Sequence, residues 1–121
     1  LACGDTSPLA WRFLDPGIDH FLTVEDSAAI AAMRTLAAGS AQDVPIVAGE
    51  SGAAGLAALQ VLRSDPALAA QAGLDAQARV LLINSEGATA PQVYQELVGE
   101  AAASVAARQA RWQAQSARLP A

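Results

Sequence analysis

Residues 79–84 read Arg-Val-Leu-Leu-Ile-Asn, and Ser-Glu-Gly follows at 85–87. A continuous apolar run of this length, closed by turn residues, is typical of a strand that a parallel sheet buries on both faces. Weaker apolar runs at 18–24 and 45–48 predict two more short strands. The expected fold class is therefore α/β, with an open, mostly parallel sheet and helices on both of its faces, in three layers.

Helix signals lie between and after these strands. Ser7 precedes Pro8, Asp26 precedes an Ala-rich run that Gly39 closes, and Pro91 opens a further run. Residues of these types start and stop helices. We expect helices over residues 8–15, 26–38, 50–63, 66–72, 91–98 and 100–118. Three short strands cannot complete a doubly wound domain, so we expect the chain to hold only part of a sheet.

Many of the hydrophobic residues in this chain have small side chains. Of 121 residues 53% are hydrophobic, yet 31 are Ala and only five are aromatic. Each Ala methyl buries far less area than a Leu or Phe side chain, and a chain of this size buries a limited share of its surface. We therefore expect this chain to pack better against further protein.

The charges exclude several functions. Twelve acidic and seven basic residues give a net charge of −5, and all seven cations are Arg. Binding of nucleic acid needs a basic patch, so we expect no nucleic-acid partner. No apolar run approaches the ~20 residues of a membrane span, so we expect no membrane contact. Because these 121 residues include no Lys, none of them can form a Schiff base.

The chain has one Cys and one His, which limits the disulfide, metal and catalytic sites that it can form. Cys3 is the one cysteine, so neither an internal disulfide nor a cysteine-rich metal site is possible, and we expect no metal. A lone cysteine is compatible with a cytoplasmic location. His20 is the sole histidine and lacks a reactive partner in the sequence, so we expect a structural or surface role. The chain begins at Leu1 without an initiator Met, which we interpret as a truncated start.

The turns after two predicted strands are the candidate binding sites. In open α/β sheets ligands bind beyond the carboxyl ends of the strands, where Asn84 and Ser85 lie. Ser85 offers a hydroxyl, Asn84 an amide, and Gly87 permits close backbone approach; the alternative is a turn chosen only for local backbone preference. The turn at 49–52 begins a helix that could hold an anion, but Glu50 repels a phosphate there. The small residues that follow, from Gly52 to Ala58, are better explained by close packing of this helix on a sheet.

Three segments together resemble one known family. Residues 1–11 contain Leu-Ala-Cys-Gly-Asp and Ser-Pro-Leu-Ala-Trp, residues 46–56 read Ile-Val-Ala-Gly-Glu-Ser-Gly-Ala-Ala-Gly-Leu, and residues 80–89 read Val-Leu-Leu-Ile-Asn-Ser-Glu-Gly-Ala-Thr. In this order and spacing they resemble the C-terminal third of the diaminopropionate ammonia-lyases, which are pyridoxal-phosphate enzymes of the tryptophan-synthase β type. The resemblance covers most of residues 1–99, which we expect to form a portion of such a lyase domain.

Residues 100–121 match no family segment and are expected to be a terminal helical tail. The tail carries Arg108, Arg111 and Arg118. We interpret these cations as a solvated helix face, with a partner-binding surface as the alternative.

The resemblance implies an activity and a cofactor. Enzymes of this family use pyridoxal phosphate to eliminate ammonia from 2,3-diaminopropionate and give pyruvate, a step of amino-acid catabolism. Their Schiff-base lysine, acid/base carboxylate and phosphate loop lie upstream of the matched segments. The resemblance therefore implies no catalytic residue in this chain and no activity of the chain alone. It also implies a small amino acid as substrate and a cytoplasmic homodimer as the assembly.

The same resemblance assigns cofactor-binding residues. It implies that Ser85 pairs with the pyridine nitrogen of the cofactor, that Asn84 lies beside it, and that Glu50 lies near the ring at the start of a helix. Two departures leave the substrate open, since better-known members carry an acid where Ala88 stands and Glu where Asp5 stands. A serine or threonine dehydratase-like lyase is therefore one alternative. Another is a non-catalytic short α/β chain that acts through a protein partner, its unfinished sheet edge pairing with another chain.

Overall fold

Six helices make up the fold in a computed structural model, which describes residues 5–116. They are α1 (Pro8–Gly17), α2 (Asp26–Ala38), α3 (Glu50–Ser64), α4 (Pro66–Gln71), α5 (Pro91–Val98) and α6 (Ala102–Ser116). Within residues 5–116, none of these helices has the length and apolar character needed to cross a membrane.

Capping residues explain where the helices begin and end. The Ser7 hydroxyl accepts a hydrogen bond from the N–H of Ala10 at the start of α1, which is the role of an N-cap serine. Gly39, with φ of 62°, and Gly99, with φ of 85°, follow the last residues of α2 and α5. Positive φ is open to glycine without steric cost. The predicted bounds of α2 and α5 are confirmed, and α1 continues two residues beyond its predicted end, with Pro16 inside its last turn.

The core lies between α2 and α3, with α5 against α2. Met33 and Val105 are the largest fully buried side chains, and the rest of the core is mostly Ala. The expectation that the core contains mostly small side chains is therefore confirmed. The buried core cluster is Ala32, Met33, Ala48, Ala53, Ala57 and Tyr94.

The predicted α/β fold is wrong. The part of the chain that the structure describes contains helices and no strand, so the three-layer parallel sheet is absent there. Residues 79–84 carry no regular structure and are exposed, with Leu81 85% and Ile83 75% accessible. Among the described residues, no backbone hydrogen bond joins them to the segment at 45–48; the nearest one runs from the N–H of Gly49 to the carbonyl of Glu86, beyond the ends of both segments. A strand needs a ladder of successive backbone bonds, and apolar character alone does not supply one.

The segment at 18–24 is also not a strand. It is an exposed connection between α1 and α2 that carries no regular structure. Its Phe21 ring contacts the Trp11 ring of α1, with the ring centroids 5.8 Å apart. Phe21 thus contacts α1 and Val24 packs against the core cluster, and neither residue belongs to a strand.

The terminal helix α6 is packed on the fold at Arg108. Its guanidinium donates hydrogen bonds to the carbonyls of Ala37 at 2.6 Å and Ala38 at 3.0 Å, and pairs with Glu100 at 2.8 Å. The prediction that this arginine belongs to a solvated face is wrong, because it binds the free carbonyls at the end of α2. Arg111 is exposed. Arg118 lies outside the described residues, and the division into 1–99 and 100–121 stays a prediction.

Candidate functional site

The two turns singled out in the sequence lie against each other. The backbone N–H of Gly49 donates to the carbonyl of Glu86 at 2.9 Å. The Asn84 side-chain amide donates to the carbonyl of Val47 at 3.0 Å. The turn at 84–87 is thereby joined to the chain that enters α3, although more than 30 residues separate the two segments in sequence. The site is thus built from two distant parts of the chain.

Small residues in α3 allow this close approach. A Cβ on Gly52 would overlap the Asn84 side-chain oxygen and lie 2.5 Å from the Glu86 carbonyl oxygen. A Cβ on Gly49 would lie 2.5 Å from the carbonyl oxygen of Gly87. The predicted packing of this helix on a sheet is wrong, because the described residues contain no sheet. The close approach itself is found at Gly52, where the neighbour is the turn at 84–87.

A carboxylate that the sequence analysis passed over lies at the start of α3. Glu86 Oε2 accepts a hydrogen bond from the N–H of Ser51 at 3.1 Å, and Glu86 Oε1 accepts one from the Thr89 hydroxyl at 2.9 Å. These hydrogen bonds, from Thr89 first and then from Ser51, hold the pKa of Glu86 below its ordinary value. An ionised carboxylate at a helix N-terminus also interacts favourably with the helix dipole.

Ser85 lies between two anchored neighbours and is itself exposed. Asn84 is held through Val47 and also accepts a hydrogen bond from the Glu86 N–H at 3.4 Å. Within residues 5–116, no side chain or backbone group forms a hydrogen bond with the Ser85 hydroxyl. The turn therefore presents one donor and acceptor group that the chain does not use.

Glu50 occupies the first turn of α3 and is half-buried. Its carboxylate accepts no hydrogen bond from the described residues. The start of α3 therefore carries two carboxylates, those of Glu50 and Glu86, and a phosphate group would meet repulsion there. Within residues 5–116, no cluster of His, Cys, Asp and Glu side chains has the composition of a metal site.

The other candidates lie away from this site. His20 is exposed beside Leu62 near the far end of α3, about 18 Å along the helix from Glu50 at the usual rise per residue. The prediction of a surface histidine is confirmed. Cys3 lies outside the described residues.

Comparison with known proteins gives matches over most of the chain. The chain is 38% identical over 109 residues to the diaminopropionate ammonia-lyase of Escherichia coli K12. The aligned region covers 88% of this chain and 27% of that relative. The Salmonella typhimurium enzyme of the same name is 37% identical over 102 residues, which covers 81% of this chain and 25% of that relative. The chain is homologous to diaminopropionate ammonia-lyase. It spans about a quarter of the length of these relatives. No family model matches it, and no solved structure gives a significant match.

Homology to diaminopropionate ammonia-lyase confirms the resemblance inferred from the three sequence segments. The geometry adds Glu86 and Thr89 to the site residues that the resemblance assigned, Ser85, Asn84 and Glu50. One local feature was present in the sequence, because Thr89 stands only three residues after Glu86. The bond from Ser51 to Glu86 spans 35 residues and had no local signal.

Proposed function

We propose that this chain is the part of a pyridoxal-phosphate-dependent diaminopropionate ammonia-lyase that faces the pyridine nitrogen of the cofactor. The enzyme would release pyruvate and ammonia from 2,3-diaminopropionate. The observation that carries the proposal is the Ser85 hydroxyl, exposed and unbonded within the described residues while Asn84 and Glu86 on either side are anchored. Homology over 88% of the chain supports the reaction class.

The residues present fit one side of this cofactor. A serine hydroxyl can donate a hydrogen bond to a pyridine-type nitrogen, and Ser85 is free to do so. When bound, the cofactor supplies an electron sink for breaking the bond to the substrate α-hydrogen. Because a neutral hydroxyl does not hold the ring nitrogen protonated, Ser85 tunes the ring toward a weaker sink. That suits an elimination, in which the departing amine removes electron density.

The residues present do not fit the other side of the cofactor. The N-terminus of α3 is occupied by the Glu86 carboxylate, and Glu50 adds a second negative charge there. The 121 residues contain no Lys. The phosphate and the Schiff-base amine must therefore be bound by protein outside these residues, and we expect no activity from this chain alone. A homodimer and a cytoplasmic location are predictions that rest on the resemblance.

The test compares Ser85 variants in the naturally expressed protein loaded with pyridoxal phosphate. We expect the wild type to release pyruvate from 2,3-diaminopropionate. Ser85→Ala should lose rate and show a changed cofactor absorption band, and Ser85→Asp should alter the partitioning between products. Ser27→Ala, at an exposed position of α2, is the matched control. Wild-type rates and spectra in both Ser85 variants would show that Ser85 does not face the ring. Serine and threonine as substrates distinguish the dehydratase alternative.

The non-catalytic alternative has one observation in its favour, the exposed apolar residues Leu81 and Ile83. The intact mass of the protein as its source produces it separates the lyase hypothesis from the non-catalytic alternative. A product with the mass of 121 residues would exclude self-contained Schiff-base chemistry and favour a protein partner. A product several times heavier, which releases pyruvate, would support the lyase.

A further inference from the structure

The backbone on both sides of Ser85 is fixed by bonds to the entry of α3. Before it, the Asn84 amide donates to the carbonyl of Val47 at 3.0 Å. After it, the carbonyl of Glu86 accepts from the N–H of Gly49 at 2.9 Å. Ser85 is the residue between these anchors, so its position depends on both of them.

The side chain of Glu86 adds a second attachment on the same side. One carboxylate oxygen accepts from the N–H of Ser51 and the other from the hydroxyl of Thr89. Both oxygens of this carboxylate are therefore directed at donors of the α3 start and of its own turn. The negative charge next in sequence to Ser85 is held on these donors and does not compete with the serine hydroxyl for a ligand.

We propose that Glu86 is the positioning residue for Ser85. It fixes the turn at 84–87 on the N-terminus of α3 and keeps a hydroxyl, rather than a carboxylate, as the group presented to the ring nitrogen. This inference rests on the proposed function. A displacement of only about 1 Å at a binding group can lower activity by a large factor. A released carboxylate beside the ring nitrogen would also favour its protonation, which changes the absorption of the cofactor.

The experiment changes the Thr89 donor and the Glu86 acceptor separately in the naturally expressed protein. Thr89→Val deletes the hydroxyl that binds Glu86, Thr89→Ser restores it, and Glu86→Gln leaves one carbonyl oxygen where two oxygens accept. Thr35→Val is the matched control, because the Thr35 hydroxyl bonds only within α2, to the carbonyl of Ala31. The readouts are the dissociation constant of pyridoxal phosphate, the absorption band of the bound cofactor and amide hydrogen exchange at 84–87.

In Thr89→Val and Glu86→Gln we expect about tenfold weaker cofactor binding, which corresponds to about 1.4 kcal/mol of binding free energy. We also expect faster exchange at 84–87 and a shift of the absorption band. Thr89→Ser should restore all three properties, and Thr35→Val should change none. Failure of Thr89→Ser to restore them would overturn the inference, because the effect would then not depend on the hydroxyl.

The Ser85→Ala variant separates this inference from the function on which it rests. If Ser85→Ala leaves binding and spectrum unchanged, the proposed function fails. If Ser85→Ala alters both while Thr89→Val and Glu86→Gln do not, Ser85 is held without Glu86, and only the positioning role is overturned. Thermal unfolding of every variant identifies a loss that arises from misfolding.

Discussion

Glu86 accepts a hydrogen bond from the backbone N–H of Ser51 at 3.1 Å, across 35 residues of chain. The N-cap residue of α3 is Gly49, which has no side chain to accept from the first turn. A helix start leaves several N–H groups without partners inside the helix. Glu86 therefore supplies from a distant turn the acceptor that a local Ser or Asp supplies elsewhere, and folding of the turn and capping of the helix depend on each other.

The stability of the chain should fall in acid because of Glu86. Its pKa in the folded chain is below the ordinary value of 4.5 owing to the bonds from Thr89 and Ser51. The folded state therefore binds fewer protons than the unfolded state, and this contribution is present above pH 4.5 and lost as pH falls through the lowered pKa. Urea midpoints measured from pH 6 downward should decline across that range.

Glu86→Gln should reduce the slope of this decline without abolishing it. The pKa of Glu100 is also lowered, by hydrogen bonds from Arg108 and then Ser104, so part of the acid dependence remains. Glu96→Gln, at an exposed position of α5, is the control. An unchanged slope in Glu86→Gln would contradict the capping role.

Two glycines of α3 should respond to the same substitution with opposite signs. Gly52→Ala places a methyl group against Asn84 and the Glu86 carbonyl, and overpacking of this kind costs about 1–3 kcal/mol. Gly55→Ala meets only Leu82, at an ordinary 3.5 Å, and should stabilise the helix by roughly 0.5–1 kcal/mol. Urea denaturation of both variants measures the difference. A neutral Gly52→Ala would mean that the two turns do not touch.

Residues at the ends of each helix were sufficient to predict the helices. The fold class depends instead on contacts between segments that are distant in sequence. The bounds of α2 follow from Asp26 and Gly39, and the start of α5 follows from Pro91. The apolar run at 79–84 indicates burial, but a strand also needs a neighbour for its backbone bonds, and residues 5–116 supply none. The site divides in the same way. The turns were found from the sequence, while the capping of α3 by Glu86 depends on a contact across 35 residues.

Asn84 and Ser85 are adjacent and both exposed, yet they should differ in their effect on stability. Asn84→Ala removes the bond to the Val47 carbonyl and should lower the free energy of unfolding by about 1 kcal/mol. Ser85→Ala removes a hydroxyl without a partner in the described residues and should change it by less than about 0.5 kcal/mol. Chemical denaturation of the two variants gives both values. A large loss in Ser85→Ala would assign Ser85 to the fold rather than to ligand binding.

Arg108 should be required for the attachment of α6. Its guanidinium binds the last carbonyls of α2, on Ala37 and Ala38, and pairs with Glu100. Arg108→Ala should lower the melting temperature and raise amide exchange in α6. Arg108→Lys should recover only part of the loss, because an ammonium lacks the planar fork that reaches several acceptors. Arg111→Ala, exposed on the same helix, is the control, and equal effects of the two alanine variants would exclude a specific role for Arg108.

The hydroxyl of Tyr94 should lower the free energy of unfolding. Tyr94 is only 3% exposed, and its hydroxyl has no hydrogen-bond partner in the described residues. Burial, and then the nearby Glu100 carboxylate, raise the pKa of this phenol, which agrees with poor solvation of the group. An unpaired buried polar group is unfavourable by about 1–3 kcal/mol. Tyr94→Phe keeps the ring in the core and removes the hydroxyl, so the free energy of unfolding should rise by about 1 kcal/mol.

Tyr94→Leu is the companion variant for that measurement. It removes the same hydroxyl but also part of the ring volume beside Met33 and Ala32 in the core cluster, and loss of aromatic volume in a core destabilises. Urea unfolding of both variants separates the hydroxyl from the ring. If Tyr94→Phe is less stable than the wild type, the hydroxyl has a partner in solution, and a bound water between Tyr94 and Glu100 becomes the explanation for its burial.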